Sequence, residues 1–239
     1  MTLSSAALAK YIDHALLQPT LTDSEFDAGC ELAKRWAVAA VCVKSMDVRR
    51  AHARMCDSSV AVCAVVGFPH ANAPTKVICH EAALALQDGA TEIDAVVNTS
   101  RVLSADWEAV SAQVGALNDE TLRHGGILKV ILETGIIPSR ETKVRLCAIC
   151  RDLKVAFVKT STGFATQLGP NGSLVVMGAT IPDVSLLVEH AGATCRVKAS
   201  GGIRTLDDAL TYIRLGAARL GTTSTEQILL EALADPSTH

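Results

Sequence analysis

Eight short apolar runs rich in β-branched residues alternate along the chain with longer stretches of helical character. The runs are "YIDHALL" (11–17), "VAAVCV" (38–43), "VAVCAVVGF" (60–68), "EIDAVVN" (92–98), "ILKVILET" (127–134), "VAFVKT" (155–160), "CRVKAS" (195–200) and "ARLGT" (218–222). Most are nearly continuous in hydrophobicity, the pattern of parallel strands covered on both faces. Parallel neighbours need a crossover, normally a helix, and the intervening segments supply one. Eight such units in 239 residues predict an α/β chain folded as one (β/α)8 TIM barrel over 1–239. A doubly wound open sheet usually needs fewer strands.

The helical segments carry their own punctuation. "DSEFDAGCELAKRWA" sets Phe26, Cys30, Ala33 and Ala37 on one face, and "PTKVICHEAALALQDGA" opens at proline and stops at Gly89. Ser104 is the expected cap of "SADWEAVSAQVGAL", and Thr205, with Asp208 three residues later, caps "TLDDALTYIRLGA" up to Gly216. The one long irregular connection is "GFATQLGPNGSLVVMGAT" (163–180), read as a loop over the active face.

Composition excludes several function classes. The net charge is −3 with no Lys/Arg cluster, which argues against a nucleic-acid partner. No apolar run approaches the roughly 20 residues that span a bilayer, and the N-terminus lacks a basic start followed by an apolar segment. A cytoplasmic protein without a membrane partner is expected. Eight cysteines lie mostly in apolar runs, and Cys147 and Cys150 form a C-x-x-C in a helical stretch without a second pair. These read as core residues, and the seven histidines show no ligand spacing. Neither a metal nor another cofactor is expected.

The chemistry of such a barrel sits at the carboxyl ends of its strands. Asp94, amid Ile, Ala and Val, needs a partner to be buried there. Lys159 and Lys198 end the sixth and seventh runs, whose alignment as "VKTS" and "VKAS" puts both amines at one level on adjacent strands. Two ammonium groups so close disfavour each other's charged form, a known route to a nucleophilic lysine. Glycines follow the last three strands in "TSTG" (160–163), "SGGIR" (200–204) and "LGTTS" (220–224). Their backbone N–H groups can approach an anion closely, and loops after the last strands are the usual phosphate cradle of barrels. A small phosphorylated substrate is expected. The residues by themselves leave open a Schiff-base aldolase, an isomerase or a non-catalytic phosphosugar-binding barrel.

"EIDAVVN", "LKVILETG", "FVKTSTGF" and "VKASGGIRT", with "YIDHALLQP" and "VVGFPHA" nearer the N-terminus, closely resemble the deoxyribose-phosphate aldolases over essentially the whole chain. The resemblance implies metal-free, reversible cleavage of 2-deoxy-D-ribose 5-phosphate to D-glyceraldehyde 3-phosphate and acetaldehyde through a Schiff base. It assigns Lys159 as the Schiff-base lysine, Lys198 as a second active-site lysine and Asp94 as the proton-transfer carboxylate. It sets Gly163, Gly201, Gly202, Gly221, Thr223 and Ser224 in the phosphate loops, and Asp13 and Cys42 near the pocket without a catalytic role. A homodimer is the family-level expectation.

Overall fold

The structure is a computed structural model that describes residues 3–234; the first two and last five residues of the 1–239 span lie outside the described part. Eight strands close a parallel barrel: β1 (Ile12–Leu16), β2 (Ala40–Lys44), β3 (Ala61–Val66), β4 (Glu92–Val96), β5 (Ile127–Ile131), β6 (Phe157–Lys159), β9 (Arg196–Ser200) and β10 (Arg219–Thr222). Strand β1 pairs with both β2 and β10, which removes any free edge. Each of the eight expected runs holds a barrel strand shorter than itself, with β2 reaching one residue past its run to Lys44. The sixth keeps only three residues in the ladder.

Helices cover the outside: α2 (Asp23–Arg35), α3 (Val48–Met55), α4 (Thr75–Gln87), α6 (Trp107–Arg123), α7 (Arg140–Asp152), α8 (Ile181–Ala191), α9 (Leu206–Arg214) and α10 (Thr225–Ala234). Phe26, Cys30 and Ala33 of α2 are buried as their spacing predicts, whereas Ala37 lies past the helix end at φ 47°. Thr205 and Asp208 form the expected capping box of α9. Two short helices escape the periodicity reading, α1 (Ser5–Ala9), which packs against α10, and α5 (Thr99–Leu103). The second corrects a cap: Ser104 closes α5, and Asp106 caps α6 by accepting from the Ala109 N–H at 3.2 Å.

The connection at 163–180 is not one irregular loop. It contains an antiparallel hairpin, β7 (Thr166–Leu168) and β8 (Leu174–Val176), turned through Gly169–Ser173. Its turn is the glycine-rich "GPNGS", in which Gly172 takes a positive φ of 75°.

Candidate active site

The β6–β9 ladder sets Lys159 directly opposite Lys198. Both side chains are almost wholly buried, at 2% and 1% exposed. They converge on one oxygen: Asp94 Oδ2 accepts from Lys159 Nζ at 2.7 Å and from Lys198 Nζ at 2.8 Å. Asp94 Oδ1 faces the other way and accepts from Lys129 Nζ on β5 at 2.8 Å and from Cys63 Sγ on β3 at 3.1 Å. The partner that a buried Asp94 demands is therefore three lysine amines. Burial pushes its carboxyl up, but Lys129, Lys159 and Lys198 outweigh that and hold it well below the usual carboxylate range.

The network continues round the barrel. Lys198 Nζ also donates to Asp13 Oδ2 on β1. Arg219 on β10 donates to Asp13 Oδ1 at 2.6 Å and to Glu92 Oε2 on β4 at 2.9 Å, and Lys129 lies 2.6 Å from Glu92 Oε2. Burial alone would pull Lys198 and Lys129 down. Asp13 and Asp94 reverse this for Lys198, and Asp94 leads the groups that reverse it for Lys129, so both stay above the ordinary lysine value. With Cys42 of β2, whose thiol sits 4.0 Å from Asp94 Oδ2, every barrel strand contributes a side chain to this cluster.

Above it opens a cavity of about 540 Å³, lined by Lys159, Lys198, Asp13 and Cys42 at its base and by Gly163, Gly201, Gly202, Gly221 and Thr223 along one side. Val175, Val176 and Met177 of the hairpin form part of its wall. Gly201 and Gly202 hold positive φ angles of 92° and 81°, the glycine-favoured region. Among the described residues no acceptor meets the backbone N–H of Gly202 or Thr223. Ser224 is not among the lining residues; its N–H is taken by Thr222 Oγ1 at 2.9 Å. Thr222 Oγ1 in turn donates to Ile203 O at 2.7 Å, which ties the two glycine loops together.

A family model for DeoC/LacD family aldolases matches residues 7–228. The chain is 40% identical over 225 residues to a deoxyribose-phosphate aldolase of Rhodopirellula baltica, covering 94% of this chain and 89% of that one. It is 42% identical over 227 residues to a deoxyribose-phosphate aldolase of Caldanaerobacter subterraneus subsp. tengcongensis, covering 94% and 93%. Among solved structures, the tetrameric deoxyribose phosphate aldolase of Aeropyrum pernix superposes with a TM-score of 0.86 at 30% identity, covering 97% of this chain and 93% of that one. The chain belongs to the DeoC/LacD aldolase family.

In this DeoC/LacD aldolase, the sequence reading missed Lys129, Glu92 and Arg219. Glu92 and Arg219 look like ordinary charges at strand starts, and Lys129 interrupts its apolar run without an aligned second amine to single it out; only the closed barrel brings the three into one cluster with Asp94. The hydroxyls after Lys159 also divide more finely than expected. Thr162 and Gly163 line the cavity, but Thr160 Oγ1 turns away to donate to Ser200 O at 3.0 Å and accept from Ser200 N–H at 2.9 Å, fastening β6 to β9. Cys42, Cys63 and Asp94 lie close enough to share a cation. That donor set does not fit a metal, because both Asp94 oxygens are engaged by ammonium groups whose charge opposes a second cation. No helix among the described residues is long and apolar enough to cross a membrane.

Proposed function

We propose that the protein cleaves 2-deoxy-D-ribose 5-phosphate reversibly to D-glyceraldehyde 3-phosphate and acetaldehyde through a Schiff base on Lys159. The observation that carries this is an amine at the cavity base that shares one carboxylate oxygen with a second amine. Charge counting supports the choice of nucleophile. The cluster holds the carboxylates of Asp13, Glu92 and Asp94 against Lys129, Lys159, Lys198 and Arg219. Lys129, Lys198 and Arg219 each serve at least two carboxylates, whereas Lys159, among the described residues, pairs with Asp94 alone. An uncharged Lys159 leaves the buried charges in balance.

The uncharged Lys159 Nζ attacks C1 of the open-chain sugar to form a carbinolamine. Lys198, held protonated, is the donor that lets water leave, and an iminium results. Asp94, held ionised, accepts the C3 hydroxyl proton through a water molecule. The C2–C3 bond then breaks and its electron pair moves into the iminium, giving an enamine and glyceraldehyde 3-phosphate. Protonation at C2 and hydrolysis release acetaldehyde. The phosphate rests against the N–H groups of Gly202 and Thr223, with Gly163, Gly201 and Gly221 keeping the backbone accessible. Ser224 contributes by fixing Thr222 rather than by meeting the phosphate itself. A homodimer is part of this reading on the strength of the resemblance, and sedimentation checks the assembly.

Reduction with borohydride in the presence of deoxyribose 5-phosphate, followed by peptide mapping, tests the assignment. The expected adduct is on the peptide carrying Lys159, and Lys159→Ala abolishes both adduct and cleavage with an unchanged circular dichroism spectrum. An adduct elsewhere, or turnover without trapping as for an isomerase, overturns it.

A further inference from the structure

The mechanism leaves two buried thiols beside the site without a task. Cys42 and Cys63 are direct partners across the β2–β3 ladder, and their thiols, with Asp94, lie within 4.8 Å of one another. Adjacent strands run about 4.8 Å apart, inside the Cα separation that a disulfide spans. Both side chains belong to the same small apolar cluster inside the barrel, with Leu17, Ala40 and Val65. Cys42 lines the active-site cavity, whereas Cys63 lies wholly beneath it.

We propose that Cys42 and Cys63 are a peroxide-reactive pair that closes reversibly to a disulfide and switches the site off. Cys42 is the thiol that meets the oxidant. The neighbouring Cys63 thiol lowers its pKa despite burial, and the Lys198 ammonium adds to this. Cys63 is the resolving thiol: it faces Cys42 across the ladder and accepts from Lys129 Nζ at 3.2 Å, and burial pushes its pKa well up, so it keeps its proton until Cys42 is oxidised. The remaining close set, Cys147, Cys150 and Cys195, is buried away from the cavity. Burial pushes Cys147 up to about 12 and Cys195 to about 11, which keeps both as thiols.

The chemistry balances with hydrogen peroxide or an organic hydroperoxide as oxidant. The Cys42 thiolate attacks one peroxide oxygen, the O–O bond breaks, and the departing oxygen takes a proton to leave as water or alcohol. Cys42 is then a sulfenic acid. The sulfur of Cys63, giving up its proton, attacks Cys42 Sγ; the S–O bond breaks and water leaves. Two thiols lose two protons and two electrons, and the peroxide is reduced. The bond draws Cys63 from Asp94 Oδ1 and Lys129, which disturbs the carboxylate that holds Lys159. The loss of activity rests on the proposed aldolase reaction, but formation of the disulfide does not.

The test treats the purified full chain with hydrogen peroxide, alkylates free thiols and maps peptides without reduction. A Cys42–Cys63 linked peptide two hydrogens lighter is expected, with deoxyribose 5-phosphate cleavage falling by about tenfold or more and returning with dithiothreitol. In Cys63→Ala the linked peptide disappears and excess peroxide carries Cys42 on to the sulfinic acid, which dithiothreitol does not reverse. Loss of activity without the linked peptide, a link through other cysteines, or full recovery of Cys63→Ala by dithiothreitol overturns the proposal. Untreated protein that fails to cleave the sugar defeats the aldolase reading instead, and the peptide map still decides this one.

Discussion

Glu133 follows β5 with a left-handed backbone, φ 57° and ψ 55°, and a side chain 2% exposed. Such a conformation costs a non-glycine residue about 1–2 kcal/mol, so its side chain must return something. Both carboxylate oxygens accept from the Thr162 N–H, at 3.2 and 3.3 Å, and Thr162 Oγ1 accepts from Phe164 N–H at 3.0 Å. Glu133 therefore holds the turn that carries Gly163. Glu133→Ala is expected to raise KM for deoxyribose 5-phosphate by about tenfold, the loss of one buried acceptor, with a smaller change for unphosphorylated deoxyribose. Steady-state kinetics on both sugars, with Glu133→Gln as the milder change, checks this. His14 offers a pH test. Burial lowers its pKa to about 4, against an ordinary 6.5, and its Nδ1 lies 2.9 Å from Thr225 Oγ1. The unfolded chain binds the proton more readily between those values, so stability is full above pH 6.5 and falls as pH drops toward 4. The loss is about 3 kcal/mol. Denaturant melts should show that slope, and His14→Gln should flatten it. At this scale Asp94, Lys159 and Lys198 were legible because each interrupts an apolar strand. Glu133 was not, because nothing in "LETG" announces a left-handed glutamate.

The strands were legible because continuous apolar runs report burial on both faces, and the ladder bears out the alignment of "VKTS" with "VKAS". The hairpin was not, because three-residue strands with exposed side chains carry no burial pattern. Its root matters more than its tip. Ala179 N–H donates to Gly201 O at 3.0 Å, and Tyr212 Oη donates to Ala179 O at 2.8 Å. Gly178 packs so closely on the glycine loop that an added Cβ would lie 2.5 Å from Gly201 O. Gly178→Val is thus expected to push the β9 loop aside and raise KM for the phosphorylated sugar by about tenfold or more. The unphosphorylated sugar should be little affected; equal damage to both would show that the root does not act through phosphate. Gly202 is limited differently, since its Cβ would meet nothing within 4 Å but its φ of 81° disfavours any side chain.

Across the whole molecule, the charged cluster was the least legible feature, because its members lie as far apart in sequence as Asp13 and Arg219. Arg219→Met removes the guanidinium from Asp13 and Glu92 while keeping an apolar stem. Breaking a buried pair in this way costs about 3–5 kcal/mol, and a lowered denaturation midpoint checks it. A barrel missing β1, β4, β5, β9 or β10 holds unmatched charge in its interior, so closure is penalised until both ends of the chain are in place. Refolding should accordingly separate two clocks. Helical dichroism, built from local contacts, returns early, while turnover returns only when residues from both ends of the chain have met. The same ring that prepares Lys159 for attack thus serves as the latch of the fold, and recovered catalysis becomes a stopwatch for barrel closure.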